Sequence, residues 1–350
     1  MIILTNQRSI IYSIMKILIA PLHWGLGHAS RCVPLVNRFL NEGHEVILAS
    51  DGAALTLLKK EFPTLEAIEL PAYNIIYPTE NMLWNLMIQS KRFFQAVKSE
   101  YVDIQAIVKN KNIEMIVSDN RFGCYSPLIK RNIFITHQVN LLTPFGLFEA
   151  PARWINHRLM RRFDEIWIPD EADEKISLAG KLSHGHLENL PKTTYIGAQS
   201  RMKKTMLDDG FSFFENAEKE IKKIAVVLSG PEPQRTFLEE KILAQAKKSI
   251  HHFVIVRGLA NENKVFFLQK NIKIYDHQTS QDLNKLMLEA DFIISRSGYS
   301  TIMDLVVLQK KALLIPTPGQ TEQEYLAKRF AEKGIFSMQN QANFDLSKLF

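Results

Sequence analysis

Five short stretches of the chain carry residue types that chemistry uses. In Pro21-Leu22-His23-Trp24-Gly25-Leu26-Gly27-His28-Ala29-Ser30-Arg31 an apolar run ends, glycines follow and a helical pattern opens. Gly25 and Gly27 let the backbone approach a ligand closely, and the free N–H groups of a helix start favour anions. His28 would face the carboxyl edge of a sheet, where an imidazole can take or give a proton; capping the helix is the plainer alternative. The third glycine of a GxGxxG dinucleotide loop is absent, because Ser30 stands there. In Ser118-Asp119-Asn120-Arg121 a carboxylate follows a strand and can act as a general base, or the Asp-Asn pair simply makes a turn.

The other three stretches lie in the second half. Leu228-Ser229-Gly230-Pro231-Glu232-Pro233-Gln234-Arg235 offers a phosphate a hydroxyl from Ser229, backbone N–H groups near Gly230 and a charge from Arg235. A Pro-rich turn before a helix is its bland reading. Ser295-Arg296-Ser297-Gly298-Tyr299-Ser300-Thr301-Ile302-Met303-Asp304 is the most specific. A strand ends, Ser297-Gly298 turns, and Ser300 and Thr301 start a helix whose positive end would hold a diphosphate. Asp304, one turn in, would accept hydrogen bonds from ribose hydroxyls; Thr301 and Asp304 also read as a capping box. Pro316-Thr317-Pro318-Gly319-Gln320-Thr321-Glu322-Gln323-Glu324 is a loop leading into a helix start rich in amides and carboxylates, groups that suit sugar hydroxyls.

These stretches need positioning elements, and the pattern supplies them. Apolar strand runs at 16–20, 45–50, 65–70, 115–118, 133–136, 165–168 and 193–196 alternate with longer helical patterns. A second series runs through 224–228, 253–256, 272–275, 292–295 and 312–315, with helices centred on 237–246, 283–288, 301–308 and 322–332. Such βα repetition predicts an α/β chain with two doubly wound, Rossmann-like domains and a ligand cleft between the carboxyl ends of their sheets. Residues 201–222 show little periodic apolar signal and are read as a linker. The expected division is therefore 15–200, a linker at 201–222, and 223–350, with the last helix free to pack back on the first domain.

Composition narrows the classes. The 350 residues hold 43 Lys+Arg against 37 Asp+Glu and are 46% hydrophobic, with a formal charge of +6. That is an ordinary globular composition, too long for one core, and mildly basic without a nucleic-acid stripe. Cys32 and Cys124, lacking CxxC spacing, are read as buried free thiols. No apolar run reaches the ~18 residues of a membrane helix. Residues 10–20 resemble a signal sequence broken by Lys16, but they are read here as leading into a buried strand, with Met15 as the expected start and a cytoplasmic location. No metal is expected. Asp170-Glu171-Ala172-Asp173-Glu174 reads as a solvated helix start, and His184-Gly185-His186 has no third ligand in view.

The last two motifs together resemble the C-terminal signature of glycosyltransferase family 28, and the Gly25-Leu26-Gly27-His28 segment resembles its N-terminal glycine loop. The family includes the N-acetylglucosaminyltransferase that forms lipid II and the plant galactolipid synthases. The resemblance spans most of 16–335, strongly in the C-terminal half. It implies the two-domain GT-B fold, with donor held by the second domain and acceptor by the first. By position, Asp304 matches the acid that holds the donor ribose, where the family usually has Glu. Ser297, Gly298, Ser300 and Thr301, with Arg296 beside them, match the diphosphate turn. Gln323 and Glu324, with Gln320 ahead of them, match the sugar-contacting pair. Ser229 and Gly230 match a loop near the donor phosphates, the backbone at Asp276-His277 the segment that meets uracil, and His28 the histidine near the reacting centre.

The implied reaction is an inverting, metal-independent transfer from a UDP-N-acetylhexosamine or UDP-hexose to a glycan or lipid-linked acceptor. The nucleotide sugar is a donor substrate rather than a cofactor, and His28 is the first candidate base, Asp119 the second. The alternatives are a nucleotide-sugar hydrolase or 2-epimerase on the same fold, and a non-catalytic nucleotide-sugar-binding subunit. The basic stretch 152–162 with Trp154 and Ile155, and the apolar stretch 78–94, would let the protein lie on the inner face of an anionic membrane, or would pack as amphipathic helices on the sheet.

Overall fold

The structure is a computed structural model describing residues 14–73, 82–143, 145–205, 211–214 and 220–349, with side chains for all of these but 82–91. In the first half, strands β1 (Lys16–Pro21), β2 (Glu45–Ser50), β3 (Ala67–Glu69), β4 (Met115–Asp119), β5 (Asn132–Ile135), β6 (Glu165–Ile168) and β7 (Lys192–Tyr195) alternate with helices α1 (Gly27–Asn41), α2 (Gly52–Glu61), α3 (Met82–Lys111) and α4 (Glu149–Met160). The second half contains β8 (Lys223–Val227), α5 (Gln234–Ala246), β9 (His252–Val256), β10 (Val265–Gln269), β11 (Ile272–Tyr275), α6 (Ser280–Glu289), β12 (Phe292–Ser295), α7 (Tyr299–Leu308), β13 (Ala312–Leu314), α8 (Thr321–Glu332) and β14 (Ser337–Met338).

Each half forms a seven-stranded sheet, in the orders β3-β2-β1-β4-β5-β6-β7 and β10-β11-β9-β8-β12-β13-β14. Every pairing is parallel except β10 with β11. Parallel strands buried on both faces read as unbroken apolar runs, as in Ile17-Leu18-Ile19-Ala20, all fully buried. In both sheets the chain order reverses beside the first strand, β1 or β8. The strand ends there open a crevice that faces the other half.

The two halves are closed on each other. Leu178, Ala179 and Leu182 of the first half share one apolar cluster with Tyr299, Met303, Leu326, Ala327 and Phe330 of the second. Gly180, at φ +56°, sits so tightly in this seam that a Cβ there would lie 2.5 Å from the Tyr325 hydroxyl and 2.6 Å from Arg329 Cζ.

Several expectations are corrected. Met202, Phe213 and Phe214, in the stretch read as a linker, are buried in the same cluster of the second half. The last helix, α8, meets the first half through Thr321, Glu322 and Arg329, while Phe344 and Leu346 beyond it join the core around β8 and β9. Asp170 starts no helix. It is fully buried and ties a loop, accepting from the Ser177 and Ser183 hydroxyls (2.6 Å each) and from the N–H groups of Leu178 and Ala179. The capping box also fails, because α7 begins at Tyr299, so Gly298 is its N-cap and Thr301 lies inside the first turn.

Of the apolar stretch 78–94, residues 78–81 lie outside the described residues, and 82–91 are described only as helix. No helix among the described residues is long and apolar enough to cross a membrane.

Candidate active site

The geometry starts from β1 and β4, paired so that Pro21 lies beside Asp119. Asp119 thus ends at the crevice, where α1 begins. His28 and Arg31, three residues apart and so on one helix face, both turn onto it. His28 Nδ1 lies 2.8 Å from Asp119 Oδ1, and Arg31 donates from Nε and Nη2 to both carboxylate oxygens. Asp119 is fully buried and Arg31 almost so. Burial penalises the Asp119 charge, but Arg31 and His28 outweigh it and hold the carboxyl well below the usual range. Burial, reinforced by the Arg31 charge, lowers the proton affinity of His28 against the pull of Asp119. The result is a neutral imidazole backed by a fixed carboxylate, the arrangement a general base needs.

Two residues beyond β5, His137 extends the cluster. Arg31 Nη1 lies 3.0 Å from His137 Nδ1, and His137 Nε2 lies 2.7 Å from Glu322 Oε1 in the first turn of α8. Gln138 Nε2 donates to the other Glu322 oxygen. The His137 ring stacks on Tyr299, with centroids 4.0 Å apart and planes 10° from parallel. Burial disfavours the Glu322 charge, but His137 beside it prevails and keeps the carboxyl below its ordinary value.

The amino end of α7 meets the glycine loop. Ser300 Oγ donates to Gly27 O at 2.7 Å, and a Cβ on Gly27 would lie 3.1 Å from that oxygen. The N-cap of α7, Gly298, has no side chain to cap the first N–H groups. One turn in, Asp304 is 8% exposed and accepts from Ser200 Oγ at 2.5 Å. Burial pushes its carboxyl up to about 6; the Arg201 charge and the Ser200 hydrogen bond offset this only in part.

The other predicted residues divide. Gly230, at φ +104°, faces Thr317, whose hydroxyl is buried without a hydrogen-bond partner; Ser229 is half-buried beside it. His277 Nε2 is likewise buried and unpartnered, and burial, with Lys60 and Arg201, lowers its ring to about 4. Gly25 lies at φ +80° in open space.

Arg296 does not reach toward a phosphate. Fully buried, it donates to the carbonyls of Ile315, Pro316 and Gln234 and so braces the strand ends. Arg235 is likewise engaged, with Glu239 at 2.8 Å and with Glu232. Ser297 donates to Gln323 O, Gln323 accepts from Thr317 N and donates to Gln320, and Glu324 accepts from Gly319 N. These groups shape the loop before α8, and Glu322, not Glu324, is the carboxylate of this turn that reaches the first half.

Arg31, His137 and Glu322 were missed as functional residues. The available signal was position: Arg31 stands one turn after His28, and His137 follows a strand on the same carboxyl edge. Among the described residues no group of three His, Cys, Asp or Glu side chains is arranged to hold a metal.

Residues 224–350 match the glycosyltransferase family 28 C-terminal domain. An uncharacterized glycosyltransferase of Methanosarcina acetivorans is 25% identical over 93% of this chain and 85% of its own. The UDP-N-acetylglucosamine–N-acetylmuramyl-(pentapeptide) pyrophosphoryl-undecaprenol N-acetylglucosamine transferase of Prochlorococcus marinus is 35% identical over 26% of each chain. The glycosyltransferase SnogD from Streptomyces nogalater superposes with a TM-score of 0.62 at 13% identity, covering 96% of this chain and 89% of that one. The second half thus matches the glycosyltransferase family 28 C-terminal domain, and the chain is a glycosyltransferase with the GT-B fold.

Proposed function

We propose that this enzyme transfers a sugar from a UDP-sugar to an acceptor hydroxyl with inversion and without a metal, using His28 as the general base. The observation that carries the proposal is the His28–Asp119 contact of 2.8 Å, set where the Ser300 turn of α7 touches the glycine loop. The acceptor oxygen attacks the anomeric carbon as the bond to the diphosphate breaks, and the bonding pair leaves with UDP. The hydroxyl proton passes to His28 Nε2, and Asp119 steadies the imidazolium that forms. The uncapped N–H groups of α7 would meet the charge growing on the diphosphate. Asp304, whose carboxyl burial pushes up to about 6, would gain the hydrogen bonds of a ribose. The donor in this reading is a UDP-N-acetylhexosamine or a UDP-hexose, and the Prochlorococcus relative is named for the first kind.

The acceptor side has a surface suited to a lipid-linked substrate. Phe145, Leu147, Phe148, Trp154 and Ile155 are exposed, Leu147 by 84%, and Arg158, Arg161 and Arg162 lie exposed alongside. Apolar groups ringed by arginine suit an anionic membrane face. Co-sedimentation with phosphatidylglycerol vesicles but not phosphatidylcholine vesicles is the expected behaviour, and equal recovery with both would remove the membrane from this reading.

Calorimetry with UDP and dTDP, paired with UDP release across glycan and lipid acceptors, tests the whole. Binding of UDP and a His28→Ala loss of ~10²–10⁴-fold in turnover with UDP affinity retained are expected. No heat from either nucleotide would defeat the proposal.

A further inference from the structure

The hydrogen-bond logic around Arg31 fixes one histidine and leaves another contested. An arginine can only donate, so His137 Nδ1, 3.0 Å from Arg31 Nη1, must accept. The His137 proton is then on Nε2 and is donated to Glu322, 2.7 Å away. His28 Nδ1 has no such single answer. It lies 2.8 Å from an acceptor, Asp119 Oδ1, and 2.8 Å from a donor, Arg31 Nη2. If Nδ1 carries the proton and gives it to Asp119, Nε2 is bare and can take a proton from a hydroxyl. If Nδ1 accepts from Arg31, the proton sits on Nε2 and the ring cannot act as a base there. The two arrangements differ by the set of one guanidinium.

What holds that guanidinium is a chain of contacts that begins in the other half of the molecule. Glu322, from the first turn of α8, binds His137 and Gln138 of the first half through its two oxygens. Thr321 Oγ donates to Leu142 O at 2.9 Å beside it, and the His137 ring is clamped flat on Tyr299 at the start of α7. His137 in turn gives Arg31 Nη1 its acceptor, and Arg31 lies against Asp119 and His28. The Arg31–His137 contact lies within the first half, whereas the Glu322, Thr321 and Tyr299 contacts that fix His137 cross between the halves.

We propose that His137 and Glu322 are positioning residues. By holding Arg31 Nη1 on His137 they set the guanidinium so that Nη2 gives its hydrogen to Asp119 Oδ1 and His28 Nδ1 does the same, and the Glu322 anchor, which comes from the second half, ties this working tautomer to the docked cleft. His28 as base rests on the function proposed above; the tautomer relay is a property of the protein alone and can be read without turnover.

The experiment is side-chain nitrogen NMR of the full chain labelled with ¹⁵N-histidine, with the His28 signals assigned by their loss in His28→Gln. The wild-type protein is expected to show His28 protonated at Nδ1. His137→Phe keeps a ring to stack on Tyr299 but removes both nitrogens, and Glu322→Leu removes the anchor. Both are expected to convert His28 to a mixture of tautomers, while Glu322→Gln, which keeps an acceptor oxygen, restores the wild-type pattern. Thermal unfolding of each variant verifies that it is folded.

With UDP-N-acetylglucosamine as donor and water as acceptor, His137→Phe is expected to lose about 10-fold or more in sugar release, with UDP affinity changed less than about threefold. An identical His28 tautomer in all the variants would overturn the relay, as would a loss of release no larger than the loss of UDP affinity. A wild-type protein that binds no UDP would instead defeat the functional reading and leave the tautomer result standing on its own.

Discussion

Two buried aspartates face the same cleft from opposite halves, and they are treated in opposite ways. Asp119 accepts from Arg31 at both oxygens and touches His28, and its carboxyl is held well below the ordinary range. Asp304 has one serine hydroxyl and a more distant arginine, and its carboxyl is pushed up to about 6. The first charge is complete before any substrate arrives. The second is under-satisfied, which is a cost in the empty enzyme and a source of affinity when a ligand brings hydroxyl donors. The difference separates a site built to hold a proton acceptor in place from one built to receive something.

The strongest way to break this comparison is to neutralise each acid in turn. Asp119→Asn removes the partner of a buried guanidinium and is expected to cost about 3–5 kcal/mol in chemical denaturation. A cost under about 1 kcal/mol would show that Asp119 is no anchor.

Asp304→Asn is expected to act in the other direction on the ligand-free protein, raising stability at pH 7 by about 3 kcal/mol while weakening UDP binding. The sign follows from linkage. With a folded value of about 6 against 3.8 for a free aspartate, the native state binds more protons than the unfolded chain between those values. Stability from this group therefore declines as pH rises through that window and is gone above it. The variant's melting temperature should lose that part of its pH dependence; an unchanged slope would show that Asp304 is ordinary.

The smallest effect sharpens the contrast. Ser200→Ala removes the hydroxyl that Asp304 accepts from, and should move its titration further up at a cost of about 1 kcal/mol at pH 7, seen as an upward shift of the same stability window.

The same contrast marks what the sequence could disclose. The parallel strands were legible because burial on both faces leaves an apolar run with no alternation, as in Ile293-Ile294 and Leu313-Leu314. β10 was not. Val265, Phe266, Phe267 and Leu268 form an apolar run that lies exposed at a sheet edge, paired on one side only, and nothing in its residue types announces that. The local motifs pointed to His28, Asp119 and the α7 turn because each sits at a strand end. The cross-links did not show, since Arg31 meets His137 across 106 residues and His137 meets Glu322 across 185. Arg296 misled for a simpler reason. A basic residue in a phosphate-like turn reads as a ligand, whereas Arg296 is fully buried, like Ser295 and Ser297 beside it, and is engaged by backbone carbonyls.

Gly180 holds a consequence of its own. With no Cβ, it lets the Tyr325 and Arg329 side chains of α8 lie directly against the first half. A single added methyl would strain a left-handed backbone and push the Tyr325 hydroxyl and the Arg329 guanidinium out of their seats in the seam. Alanine at that position thus gauges how closely the two halves must fit, at a place away from the groups assigned to chemistry.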